Sequence, residues 1–201
     1  MFIILADAEL ELVPDELKSE GEIRSILKEY GKENVLLDNS RMRTSIAKHF
    51  PGSVNRIGFP HIAYVFATLN NESVLNETVK MNYAIHTKHN VIIERSDIEG
   101  IGAGYTEFAE RMEMILQKNP KRKKLVEYIE EIGTPGNTVV LHPNGKSGLV
   151  VNDQFNYVIG GFPEGDYRSD LGNLKKFSLH DNEITVPGIL ELLHFKLFGS
   201  L

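Results

Sequence analysis

The chain has 201 residues, 41% hydrophobic and 25% charged, with a formal net charge of −6. That length can bury one core, and the near-average fractions exclude a disordered or collagen-like chain. With no cysteine present, disulfides, thiolate metal sites and a cysteine nucleophile are excluded together. The start is neither basic nor long enough in apolar residues for a signal peptide, and no apolar run reaches the roughly 18–20 residues of a membrane span. A soluble cytoplasmic protein without membrane association is expected. The acidic balance argues mildly against a generic nucleic-acid coat, because phosphate contacts supply much of such affinity.

Phe2-Ile3-Ile4-Leu5 opens a buried strand that continues loosely through Leu10, Leu12 and Val13. Helical spacing follows at Ile23, Ile26, Leu27 and Tyr30. Val35-Leu36-Leu37 reads as a short second strand, and Asp38-Asn39-Ser40 as the cap of a helix from Met42 to Phe50. Pro60 opens another helix that runs to Leu69. Segments 81–87 and 91–94 form a hairpin around Lys88-His89-Asn90, and it is read as an insertion of about 78–96 or an edge feature. Two more helices are centred on Phe108–Leu116 and Leu125–Ile132. Three late strands follow, at Val139–Leu141, Tyr157–Ile159 and Lys176–Leu179, before an apolar closing helix from Ile189 to Phe198. Strands interleaved with helices predict one α/β domain over 1–201 with a largely parallel sheet.

Gly100, Gly102 and Gly104 precede a helix, as in a nucleotide-binding loop. The third glycine of the dinucleotide pattern is replaced by Tyr105, and a plain connection is the favoured reading. The basic run Lys118 to Lys124 reads as a solvated loop between helices. The histidines are scattered, so no metal site is expected, and the Gly-x-Ser-x-Gly of serine hydrolases never occurs. The strongest constellation is three loops that follow the late strands: His142-Pro143-Asn144-Gly145, Gly160 to Asp166, and His180 to Ile184. Ligands of open α/β sheets bind beyond the carboxyl ends of strands, where glycines let the backbone approach them.

At these loops the chain resembles the archaeal Nep and eukaryotic Emg ribosome-biogenesis proteins. The resemblance rests on Val158 to Tyr167, Ser178 to Thr185, Phe59-Pro60-His61-Ile62 to Leu69, Tyr83 to Thr87 and Tyr105 to Leu116, in that family's order, over roughly residues 35–198. It implies a SPOUT-type methyltransferase with helices on both faces of the sheet, a C-terminal trefoil knot within 138–201, and a homodimer. The implied reaction moves a methyl group from S-adenosyl-L-methionine (SAM) to nitrogen 1 of a pseudouridine in small-subunit ribosomal RNA. Carried over by position, the cofactor contacts fall on Leu141, Gly160, Gly165, Leu179, His180, Asp181, Asn182, Glu183 and Ile184, mostly through backbone.

The RNA site departs from the family. The family's Arg-Pro-Asp stands here as Phe59-Pro60-His61, and its arginine-rich segment aligns with Gly100, Ala103 and Glu107. Three lost charge-assisted contacts, each worth about 1.5–3 kcal/mol, would weaken the usual grip on RNA. Arg41, Arg43 and Arg56 are candidates to compensate. His61 stands where the family has an aspartate; imidazoles titrate near neutral pH, so it is the candidate general base. The competing reading is a catalytically silent, knotted ribosome-assembly factor that binds RNA or protein.

Overall fold

The computed structural model describes residues 1–79, 81–100, 104–118, 120–133 and 135–199. Its strands are β1 (Phe2–Ala8), β2 (Asn82–Thr87), β3 (Ile92–Glu94), β4 (Thr138–Lys146), β5 (Asn156–Gly160) and β6 (Lys175–Phe177). They form one sheet in the order β3-β2-β1-β5-β4-β6, in which only the β2–β3 pair is antiparallel. The helices are α1 (Gly21–Tyr30), α2 (Asn39–His49), α3 (Pro60–Asn71), α4 (Arg95–Ile98), α5 (Tyr105–Gln117), α6 (Leu125–Ile132) and α7 (Val186–Phe198).

β1 is buried on both sides, which is why it reads as an unbroken apolar run rather than an alternation. Ile3 and Leu5 pack with α3, α5 and α7 through Phe66, Met112 and Leu193, while Ile4 and Ala6 pack with α6 through Tyr128 and Ile129. Segment 13–57 has an apolar core of its own, built on Leu17, Ile23, Leu37 and Ile46. α1 and α2 therefore form a small unit beside the sheet.

Two expectations change. Val35–Leu37 is not a strand of the sheet: Leu36 makes an isolated antiparallel bridge with Leu12, flanked by Val13 N–H to the Val35 carbonyl and Leu37 N–H to the Glu11 carbonyl, both 2.9 Å. These residues pair only with the end of the β1 extension, so no ladder can propagate. The first late strand is longer than its apolar run, because β4 extends to Lys146. Leu141 and Lys146 both pair with Phe177, so residues 142–145 bulge out of the β4–β6 ladder. Gly145 makes this possible, since a Cβ there would lie 2.4 Å from the Phe177 carbonyl carbon.

The 82–94 hairpin supplies one edge of the sheet. β2 lies parallel to β1, and the antiparallel β3 closes the edge. The basic run connects α5 to α6, and Lys121 is held there by Glu131 at 2.8 Å and Glu94 at 3.1 Å. The dinucleotide pattern also fails, because α4 stands between β3 and the glycines and Gly104 serves as the N-cap residue of α5. Gly102 lies outside the described residues.

Candidate functional site

The three late loops lie at the bulge of β4 and at the carboxyl ends of β5 and β6. The Tyr167 hydroxyl donates to the Leu141 carbonyl at 3.0 Å, which ties the second loop to the first. Burial pushes the Tyr167 phenol up, and Asp7 and Asp166 add to the shift, so it remains a protonated donor. His142 Nε2 lies 3.1 Å from Asp166 Oδ1, and the His142 and Tyr167 rings stack at 26°. The Tyr167 N–H, with a smaller effect from His142, holds the Asp166 carboxyl below the usual carboxylate range. The third loop joins the first where Gly145 meets Phe177 and where Ser178 N–H donates to the Lys146 carbonyl at 2.9 Å.

Glycine positions set the shape of the second loop. Gly161 N–H donates to the Ala6 carbonyl at 2.7 Å, and a Cβ on Gly161 would lie 2.8 Å from Ala8 Cα, so the loop leaves β5 directly against β1. Gly165 turns at φ +88, a left-handed conformation that side chains other than glycine rarely adopt. Gly160 is half-buried under the Phe162 ring. In the third loop Leu179 and Ile184 are half-buried, and His180, Asp181, Asn182 and Glu183 are exposed. This run lies outside any strand or helix, and Asn182 N–H bonds to the ring of His180 at 3.0 Å. Leu141, the Gly160–Gly165 loop and the run Leu179 to Ile184 therefore follow from the parallel strands β4, β5 and β6 on the same side of the sheet. Their donor set, mostly backbone groups freed from ladders, suits an adenine edge and ribose hydroxyls.

Asp7 and Glu9 are the residues that sequence reasoning missed. β1 carries an extra residue between Leu5 and Ala8, and Asp7 within it adopts φ 54. Asp7 Oδ2 accepts the N–H groups of Arg168 at 2.7 Å and Ser169 at 2.9 Å; Oδ1 accepts the Ser169 hydroxyl at 2.6 Å. The available signal was the alternation of acids, Asp7, Glu9 and Glu11, inside an otherwise apolar opening. Farther along this extension, a cleft of about 460 Å³ opens between the 13–57 unit and the β2–β3 turn, lined in part by Glu11, Phe50, Lys88 and Arg122. Burial alone would raise the Glu11 pKa, but His89 and Lys88 outweigh it and hold the carboxyl below its usual value.

The positions expected to contact RNA form a second group. α2, α3 and α5 begin near one another: Asp38 accepts from Ser40 N–H at 2.9 Å to cap α2, and from the Tyr105 hydroxyl at 3.1 Å on α5. Tyr64 of α3 meets the Tyr105 ring edge-on at 5.5 Å. His61 is exposed on the first turn of α3, edge-on to Phe59 at 5.5 Å. Gly100 and Glu107 are exposed, and Ala103 lies outside the described residues. Arg41 is paired with Glu29 at 2.9 Å, whereas Arg43 reaches the neutral amide oxygens of Asn39 and Asn55. Arg56 faces inward, to Glu9 at 3.0 Å and over the Phe162 ring at 4.4 Å.

Among the described residues no group of three or more histidines and acids is placed to hold a metal ion, and no helix is long and apolar enough to cross a membrane. The fold matches a crystal structure of Archaeoglobus fulgidus Nep1 bound to S-adenosylhomocysteine, with a TM-score of 0.82 at 21% identity, over 96% of this chain and 95% of that one. A ribosomal RNA small subunit methyltransferase Nep1 of Thermoplasma volcanium is 31% identical, over 92% of this chain and 91% of its own. Its counterpart in Thermococcus sibiricus is 29% identical, over 100% and 99%. The family model described as EMG1/NEP1 methyltransferase matches residues 3–191. With its sheet, its tied late loops and these relatives, the chain belongs to the EMG1/NEP1 methyltransferase family.

Proposed function

We propose that this protein transfers a methyl group from SAM to small-subunit ribosomal RNA, at nitrogen 1 of a pseudouridine. The observation that carries the reading is the stitching of three backbone-rich loops into one cradle, in a member of a methyltransferase family. Relatives named as small-subunit methyltransferases support the RNA substrate, and the S-adenosylhomocysteine in the Archaeoglobus protein supports the cofactor.

SAM supplies an electrophilic sulfonium methyl. The chain itself has to orient the reactants and remove a proton. Leu141, Gly160, Gly165 and the run Leu179 to Ile184 would hold the cofactor, chiefly through backbone groups. The exposed His61 ring would accept the proton of the pyrimidine N–H as the methyl arrives. Arg43, which among the described residues reaches the neutral oxygens of Asn39 and Asn55, is the best placed of the three compensating arginines to take a phosphate.

A C-terminal trefoil knot and a cytoplasmic homodimer belong to the same proposal. Residues 167–174 pack on the α6 face through Tyr167, Leu171 and Leu174, while α7 packs on the opposite face. That change of face around β4 supports the knot. Phe195 and Phe198, 75% and 58% exposed on α7, support a second copy that would cover them. The loss of arginines at Gly100, Ala103 and Glu107 favours the second reading, a silent assembly factor.

The test is incubation of the protein with methyl-labelled SAM and small-subunit RNA fragments that carry uridine or pseudouridine at the same position. Label confined to the pseudouridine fragment is the expected result. Binding of S-adenosylhomocysteine without any transfer would favour the assembly factor, and absence of both would overturn the enzyme reading.

A further inference from the structure

The side chain of Glu9 is fully enclosed, yet none of the cofactor positions includes it. A carboxylate is stable in such a place only when cations satisfy it. Three reach it from three separate segments: Arg56 Nε at 3.0 Å and Arg168 Nη1 at 3.3 Å on Oε1, and Lys88 Nζ at 3.0 Å on Oε2. Two of these cations grip the Gly160–Asp166 loop and its continuation. Arg56 stacks on Phe162, and its Nη1 lies 2.6 Å from where a Cβ on Gly165 would stand. Arg168 follows the Gly165 turn on the other side, and its N–H is taken by Asp7.

The same bulge in β1 that puts Asp7 at φ 54 places Ala8 and Glu9 beside the loop, where Glu9 N–H donates to the Gly161 carbonyl at 3.2 Å. Both limbs of the Gly165 turn are thus tied to one buried stretch, Asp7 to Glu9. Arg56 Nη2 and Glu9 Oε2 are both buried without a hydrogen-bond partner among the described residues, so Lys88 meets Oε2 as an ion pair only. Glu9 and packing hold that guanidinium in place despite the unmet donor.

We propose that Glu9 is a positioning residue for the cofactor. Without touching the ligand, it sets the Gly165 turn through Arg56 and Arg168, with Asp7 as a second anchor. This rests on residues 160–165 being the cofactor loop.

The test uses the full chain, S-adenosylhomocysteine as the probe, and the variants Glu9→Gln, Arg168→Met and Gly165→Val. Calorimetry measures affinity, and amide hydrogen exchange measures loop order without ligand. Glu9→Gln is expected to weaken binding by about tenfold or more, the scale of one hydrogen bond to a charged group. Faster exchange should be confined to residues 161–169, with the amides of β1 and β5 unchanged. Arg168→Met, altered at a half-exposed side chain, should shift both readouts the same way by less, and it decides the matter if Glu9→Gln does not fold. Unchanged affinity in either folded variant overturns the proposal, as does exchange that rises across the whole sheet. Binding kept in Glu9→Gln but lost in Gly165→Val overturns only this role; no binding to the unaltered protein overturns the cofactor reading and this role together.

Discussion

The cradle at the ends of β4, β5 and β6 and the surface where α2, α3 and α5 begin are built on opposite principles. In the cradle side chains tie the first two late loops to each other and to β1: Tyr167 to Leu141, His142 to Asp166, Asp7 to the backbone of Arg168 and Ser169. Its glycines are required by close approach, as at Gly145 and Gly161, or by a left-handed turn, as at Gly165. Across the surface where α2, α3 and α5 begin, the proposed RNA site, His61, Gly100 and Glu107 face outward, and a Cβ added at Gly100 would meet nothing within 4 Å. Side chains at His61 and Glu107 can therefore change there without disturbing the packed core. Internal bonding keeps the first region recognisable, while solvent leaves the second free to vary.

The sharpest way to break this contrast is His61→Asn. If His61 takes the proton, kcat should fall by about a hundredfold or more, since general-base catalysis contributes roughly 10²–10⁴. Stability should stay within about 0.5 kcal/mol, as for other surface changes, in a urea titration. Loss of stability instead would show that side chains of the RNA surface hold the fold together much as those of the cradle do.

Gly165→Val tests the other side. A β-branched residue at φ +88, with its Cβ 2.6 Å from Arg56 Nη1, is strained. A cost of about 1–3 kcal/mol should lower S-adenosylhomocysteine affinity by roughly ten- to a hundredfold, read by calorimetry. Glu107→Arg places a positive charge at an exposed position of the proposed RNA site. It should raise affinity for a small-subunit RNA fragment by about tenfold, the scale of one charge-assisted contact, and leave cofactor affinity unchanged. The slope of log affinity against log salt should steepen by about one for the added phosphate contact, measured by filter binding.

The smallest effect concerns pH. Burial holds His86 below its ordinary pKa of 6.5, although Asp7 and Asn90 pull the other way, and burial does the same to His194. Both rings are neutral when folded, whereas the unfolded chain takes up their protons near pH 6.5. Their contribution is therefore complete above pH 6.5, declines as pH falls below it, and levels off below the folded values. The slope should not exceed about 1.4 kcal/mol per pH unit for each histidine. Urea titrations between pH 7.5 and 5.5 check this, and His194→Asn should flatten the slope.

Legibility in the sequence followed range of interaction. Helices with clear apolar spacing, such as Ile23–Tyr30 and Leu125–Ile132, lie where expected, because local periodicity suffices to define a buried face. Val35–Leu37 misled because three apolar residues look the same whether they join a sheet or form one bridge to Leu12. The extension of β4 through Pro143 and Gly145 was hidden, since its partner Phe177 lies more than thirty positions away and the pairing skips the bulge. The second late loop follows β5 as its glycines led one to expect.

By itself, then, the sequence determined an α/β chain with a largely parallel sheet and a family resemblance, because composition, periodicity and short motifs are local properties. Only the tertiary structure decided that Asp7 and Glu9 stand beneath the second late loop. Residues 161 and 162 positions apart meet there, and no local pattern encodes which distant cation or amide a buried carboxylate will find. It also decided that Arg56 turns inward to Glu9 and Phe162 while Arg43 stays at the surface, because burial and pairing depend on what packs around a side chain rather than on its neighbours along the chain.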